Sequence, residues 1–272
     1  MEKVRLMSWN LLEGCHVPRH RNPGAPQLDQ GRLEAIRQTL AQHSPQVLLV
    51  NEALWCRPVE GYHVDYAALL GYEHSCAGLY DGVWGNAILS KFPVLTCRTF
   101  DIYNRGGLMA VLDVGGMHLQ VATYHPHPSR YPNHKAQDYL ALVGQADPAL
   151  PLVLGGDFNA ISPDDQPDRV ALAKGFARFS KNPEIDSARF IDAGRVVFPA
   201  LTAHGMSDAV PSHARMPTMP TKLISEDQGS AMRLDHIWVN DQVRVQDGKV
   251  LRQDETDMAS DHYPVLVDIL LG

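Results

Sequence analysis

Five strand-like runs in this chain carry a polar group at one end of an otherwise apolar stretch. "RLMSWN" closes on Asn10, "VLLVNE" on Glu52 and "LVLGGD" on Asp157. "RLDHIWV" places Asp235 at the start of its strand, and "SDHYPV" sets Asp261 and His262 just ahead of another. An apolar strand seldom ends on a carboxylate without a charged partner, because an unpaired buried charge is costly. Strands laid side by side meet that condition by gathering their polar ends at one rim.

The stretch "LVLGGDFNAISPDD" shows the pattern most sharply. In extended chain, residues two apart point the same way, so Asp157 and Asn159 are expected on one face with Phe158 on the other. Gly155 and Gly156 leave room for another backbone or a ligand. Taken alone, Asp-x-Asn reads more readily as a polar strand end running into a turn, with Asp157 bonding its own loop. Its company changes the weight: hard divalent cations need oxygen ligands, and a histidine beside a carboxylate can carry or place a proton near neutral pH.

Between these runs the chain reads as strands broken by a few helices. "GRLEAIRQTLAQHS" has Leu33, Ile36 and Leu40 at helical spacing, with Pro45 after its end. "GLMAVLDVGGMHLQVATYH" reads as a hairpin turning at Gly115-Gly116, and "GNAILSKFPVLTCRTFDI" as two strands joined at Phe92-Pro93. "NHKAQDYLALVGQA", "DQPDRVALAKGFARF" and "DSARFIDAGRVVFPAL" read as helices, and 207–229 as a long functional loop. Dominant hairpins with few helices imply mixed, largely antiparallel sheets covered by helices, in one domain.

Net charge is −7, which argues against a surface built to hold a polyanion loosely. The local basic candidates are few: Arg19 and Arg21 near the first strand, Arg130 and Lys135 after "YHPHP". No apolar run approaches the roughly 20 residues of a membrane span. The first residues enter a strand-like alternation without a targeting pattern, and the four cysteines are widely separated with no C-x-x-C pair. The expectation is a cytoplasmic protein with reduced thiols.

The ordered set "SWNLLEG", "NEA", "GNAILSK", "YHPHP", "GGDFNA", "RLDHIWV" and "SDHYPV" resembles the endonuclease/exonuclease/phosphatase superfamily, from Ser8 to Val265. That group includes deoxyribonuclease I, abasic endonucleases, sphingomyelinases and inositol-phosphate phosphatases. The resemblance implies a four-layer α-β-β-α sandwich over residues 1–272, with two mixed, mostly antiparallel sheets, outer helices and an active site at one edge. It implies that Glu52 binds Mg²⁺ or Mn²⁺, with Asn10 beside it and Asp261 as a further metal or water contact. Asp157 matches the aspartate that orients or deprotonates the attacking water, and Asn159 the residue holding water or phosphate near it. Asp235 and His262 match a carboxylate–histidine pair. Tyr124 and His125 compete for a phosphate contact, and Asn86 falls on the substrate side.

Two departures point away from a DNA-repair enzyme. The abasic endonucleases carry Tyr-x-Pro-Asn where this chain has Tyr124-His125-Pro126-His127, and Gln where it has Asn51 before the metal glutamate. The expected function is therefore a divalent-metal-dependent phosphoesterase acting by in-line attack of water. A nuclease on DNA or RNA is the first alternative, and a non-catalytic binding module on the same fold the second. The expected partner is a phosphoester substrate, a small phosphodiester or a nucleic-acid end, with no membrane insertion and no obligate protein partner.

Overall fold

Two-residue alternation sorts the first strand between two layers. In β1 (Glu2–Asn10), Val4 and Leu6 enter an apolar layer shared with the second sheet, while Met7 and Trp9 face the outer helices. The same division holds in β2 (Val47–Leu54), where Val47 and Leu49 face inward and Leu48 and Val50 outward. The computed structural model describes residues 1–17, 27–54, 56–57, 62–80, 84–103, 105–177, 180–225 and 230–272. Arg19, Arg21 and the last four residues of the loop expected over 207–229 lie outside that set.

The remaining strands of the two large sheets are β3 (His74–Tyr80), β4 (Trp84–Ser90), β5 (Val94–Ile102), β6 (Arg105–Val114), β7 (Met117–Thr123), β8 (Leu152–Asp157), β9 (Met206–Asp208), β10 (Asp235–Asn240), β11 (Arg244–Val250) and β12 (Val265–Leu271). One sheet runs β11-β12-β1-β2-β4-β3 and the other β9-β10-β8-β7-β6-β5. Each holds a single parallel pair, β1 with β2 and β7 with β8, and both parallel pairs contribute to the polar rim. The sheets are thus mixed and mostly antiparallel, as expected.

Helices cover both outer faces. α1 (Gln30–His43) starts where Asp29 accepts hydrogen bonds from the Gly31 and Arg32 amides. It lays Leu33, Ile36 and Leu40 against Met7 and Trp9. After α2 (Tyr66–Leu70) come α3 (Pro132–Val143), α4 (Arg169–Phe176), α5 (Pro183–Ala203) and α6 (Asp254–Ala259). Tyr139 and Leu142 of α3 and Val197, Phe198 and Leu201 of α5 pack on Leu152, Leu154 and Trp238 of the second sheet. The result is the α-β-β-α order.

The Gly115-Gly116 hairpin forms as read, with both glycines at positive φ. The two strands joined at Phe92-Pro93 do not pair with each other: β4 ends in the first sheet and β5 begins the edge of the second. Within the expected loop, Thr218 and Met219 bond Met232, Thr221 donates to Asp261, and Thr218 accepts from Tyr263. This ties it to the rim. Among the described residues, no helix is long and apolar enough to cross a membrane, and Cys15, Cys76 and Cys97 are free thiols.

Candidate active site

Each strand carries its inward parity past the apolar layer. After Val4 and Leu6 come Ser8 and Asn10; after Val47 and Leu49, Asn51; after Val153, Gly155 and Asp157; before Ile237 and Val239, Asp235. The polar residues therefore continue the inter-sheet face and meet where that layer ends. A side chain at Gly155 would put its Cβ 2.6 Å from Leu49 Cδ1, and one at Gly156 would come 2.5 Å from the Tyr124 carbonyl. The glycines let the second sheet approach its neighbours this closely.

Asp157 is the centre of the cluster. Its Oδ2 lies 3.2 Å from Asn10 Nδ2, 3.3 Å from His125 Nε2 and 3.9 Å from His262 Nε2. Its amide donates to Asn51 Oδ1 at 2.7 Å. Burial pushes the Asp157 carboxyl up to about 7, with Asp235 and Glu52 adding to the rise and His262 and the Asn159 amide opposing it. Directly across the strand pair, Asp235 is fully buried, and its Oδ2 lies 2.7 Å from His262 Nδ1. Burial disfavours the charged imidazole, but Asp235, Asp261 and Asp157 outweigh it and hold His262 well above the ordinary histidine value. Although His125 also touches Asp157, burial and nearby positive groups, Arg105 first among them, keep it well below that value and so neutral.

Asn159 departs from the expected geometry. β8 ends at Asp157, and Asn159 takes φ +46°, so strand alternation no longer governs it. Its amide N–H donates to Asp157 Oδ1 at 2.8 Å, and its side-chain nitrogen donates to the Pro126 carbonyl at 3.0 Å. The Asx-turn and the site are one structure here.

Glu52 also leaves the alternation. The register with β4 shifts between Val50 and Ala53, and Glu52 takes φ +58°. One oxygen accepts the Glu13 amide at 3.1 Å. Leu12, Glu13, Gly14 and Cys15 all have φ between +43° and +68°, a single left-handed turn directly after β1. Left-handed helix costs non-glycine residues about 1–2 kcal/mol each, and such strain concentrates at functional sites. Burial and then the charge of Asp261 raise the Glu52 carboxyl above its usual range, against His262, the Glu13 amide and Asn10. The Glu52 and Asp261 carboxylates, close enough for their charges to interact, make with Asn10 an oxygen-donor set that suits a hard divalent cation. Asp157, Asp235 and His262 also lie close enough to share an ion.

Tyr124 and His125, adjacent in sequence, part here. The Tyr124 ring lies in the core under α3 and its hydroxyl donates to Asp138 at 3.1 Å, so His125 alone of the two meets Asp157. Asn86 is fully buried behind the rim, where it accepts from Asn51 and donates to the Gly106 carbonyl.

With this rim in view, the sequence matches the Endonuclease/Exonuclease/phosphatase family over residues 7–262. The chain belongs to that family. Three solved structures illustrate the likeness. An endonuclease/exonuclease/phosphatase from Beutenbergia cavernae is 22% identical, with a TM-score of 0.69 over 100% of this chain and 72% of that one. D. rerio TDP2 complexed with a single-strand DNA product is 15% identical (TM-score 0.63; 99% and 100% covered). The Bacteroides thetaiotaomicron mannosyl-6-phosphatase is 14% identical (TM-score 0.65; 98% and 100%). At these identities the likeness concerns the fold. No curated protein matches the chain.

Three residues of this family member's rim have roles the sequence reading did not give them: Asn51 entered it only as a departure, Lys135 as a basic candidate, and Thr218 not at all. Asn51 bonds Asp157, Asn86 and Thr123 at once; its inward parity after Val47 and Leu49 was the available signal. Thr218 Oγ1 accepts the Leu234 and Asp235 amides at 2.9 and 3.2 Å. Lys135 is fully buried, its ammonium donating to the Asn159 and Pro128 carbonyls at 2.6 and 3.2 Å. Burial pulls it down to about 7, against Asp157 and Asp138. Its spacing to Tyr139 and Leu142 on the apolar face of α3 was the signal that it is not a surface cation.

Proposed function

We propose that the chain is a divalent-metal-dependent phosphoester hydrolase, acting on a small phosphodiester or on the unpaired end of a nucleic acid. The observation that carries this reading is Asp157 facing the Asp235–His262 pair, with the Glu52 and Asp261 carboxylates at the same rim. A Mg²⁺ or Mn²⁺ ion held by Glu52, with Asn10 and Asp261 beside it, would neutralise phosphate charge and polarise its oxygen.

The chain's own groups do the rest. Asp157, fixed by the Asn159 and Asn51 contacts, orients a water and accepts its proton as it attacks phosphorus in line with the leaving oxygen. His262, kept cationic by Asp235, faces a non-bridging phosphate oxygen and stabilises the charge that builds on it. Neutral His125 donates or accepts a hydrogen bond at the same phosphate. Asn51 and Asn86 hold Asp157 in register from behind.

The test is a substrate panel of oligonucleotides, nucleotides, phospholipids, inositol phosphates and sugar phosphates, each with Mg²⁺ and with Mn²⁺. Hydrolysis of a small phosphodiester or a single-stranded end, with weak binding to duplex DNA, is expected. Silence across the panel with both metals would sink the hydrolase reading. Tight duplex binding whose affinity falls steeply with salt, together with efficient nicking, would replace it with a duplex nuclease.

A further inference from the structure

We propose that the rim beside Asp157 carries a stacking surface for an unpaired nucleobase, formed by Tyr103 on Arg130 and by Tyr131 with His134. The inference rests on the phosphoesterase reading and narrows its substrate to single-stranded nucleic-acid ends.

The surface is anchored to the site. His125 touches Asp157; two residues on, the chain turns, with the Arg130 amide donating to the His127 carbonyl. Asn159 bonds the Pro126 carbonyl and Lys135 the Pro128 carbonyl, so the segment from 125 to 135 is fixed to the residues around Asp157. Tyr103 arrives from the turn between β5 and β6, at the end of the sheet where Thr123 leads into the site.

Its chemistry is specific. Two Arg130 nitrogens hold the two Asp138 oxygens at 2.9 Å each, which fixes the guanidinium plane and balances its charge. That guanidinium lies over the Tyr103 ring, 3.8 Å from its centroid. Tyr103 is nevertheless 63% exposed, and Tyr131, next to Arg130 in sequence, is 67% exposed. The exposed His134 ring stands perpendicular to Tyr131 at 5.8 Å. A single exposed aromatic needs no explanation. Here, among the described residues, the large exposed apolar side chains include two aromatics, and both adjoin Arg130. Tyr131 caps no helix amide through its side chain, so its exposure is not the by-product of a capping role.

Rigid aromatic faces beside a flat guanidinium stack any base, whatever its sequence. A base inside a duplex has both faces covered and the last pair of a blunt end has one, so an unpaired end fits such a surface best. The overall acidic charge is consistent with gripping one or two nucleotides and not a long polymer.

The experiment uses the full chain, wild type and with Tyr131→Ala, Tyr103→Ala or Tyr131→Trp. Substrates are a short single-stranded oligodeoxynucleotide and one of equal length with abasic sugars. Each alanine substitution should raise KM for the base-bearing substrate by about 5- to 100-fold, the worth of one base–aromatic stack, with kcat nearly unchanged. Tyr131→Trp should restore it, and the abasic substrate should not distinguish the variants. Unchanged KM in both alanine variants overturns the proposal, and an equal loss on the abasic substrate shows a sugar contact instead. Fluorescence anisotropy of the labelled oligonucleotide in EDTA separates the two readings. Tyr131-dependent binding without turnover in either metal keeps the surface and removes the hydrolase; absence of binding removes the surface.

Discussion

The ammonium of Lys135 lies 2.6 Å from the main-chain oxygen of Asn159, the residue whose own amide steadies Asp157. A cation with no solvent exposure therefore sits behind the proposed water-orienting carboxylate. Replacing it with Met, similar in length and apolar, removes the donor and leaves two carbonyls without their partner, at a cost of roughly 1–3 kcal/mol. Lys135→Met should lower the thermal midpoint and, through misplacement of Asp157, cut kcat by about 10²-fold. Scanning fluorimetry and steady-state kinetics check both; full activity with a lowered midpoint would make Lys135 structural only.

Asp157, Asp235 and His262 form a unit and should fail as one. Asp157→Asn, Asp235→Asn and His262→Ala are each expected to lower kcat by about 10²–10⁴-fold while the circular dichroism spectrum persists. The Asp235→Asn/His262→Ala double variant should cost far less than the product of the singles. Multiplying effects would mean that the 2.7 Å contact between Asp235 and His262 has no catalytic meaning.

Removing divalent metal with EDTA should abolish turnover, and Mg²⁺ or Mn²⁺ should restore it. Glu52→Gln keeps the shape of the side chain but removes its carboxylate charge. The metal concentration for half-maximal activity should rise at least about tenfold, the lower end of what even groups supporting a ligand contribute. A metal titration of both proteins decides it, and an unchanged midpoint would remove Glu52 from the metal site.

Away from the rim, Asp268 of β12 pairs across the strand with Arg5 at 2.6 Å and takes Lys3 at 2.7 Å. The Arg5 bond, then Lys3, pull its carboxyl from 3.8 down to about 2, against burial. A carboxyl lowered on folding stabilises the native state above its unfolded value and loses that contribution as pH falls through the folded one. Asp268→Asn should therefore lower the urea midpoint near neutrality. The gap to wild type should close between pH 3.8 and about 2. A gap that stays constant down to pH 2 would contradict the assignment.

Alternation made the rim legible because it is a period-two signal: Asn10, Asp157 and Asp235 follow from their strands' inward parity. It failed where the chain leaves the β region. Glu52 and Asn159 reach their positions through positive φ; asparagine tolerates that conformation and the turn reading allowed for it, but nothing in a glutamate announces it. The choice between Tyr124 and His125 was open for a related reason. β7 ends at Thr123, so parity no longer says which neighbour turns inward. The crossing from β4 to β5 was hidden because a turn at Phe92-Pro93 looks the same whether its strands share a sheet or not.

Asn10 ends β1, His262 precedes β12, and these two strands pair with Glu2 opposite Leu271. In the two large sheets β1 stands first and β12 last in chain order, yet they are antiparallel neighbours. Without that pairing Trp9 lacks the His262 carbonyl it bonds, Ser260 cannot hold Asn10, and Asp157 has no imidazole opposite it. For a chain with the proposed activity, the site is therefore a seam between the two ends of the strand order. Whatever loosens the pairing of β1 with β12 takes the working centre apart before it melts either sheet.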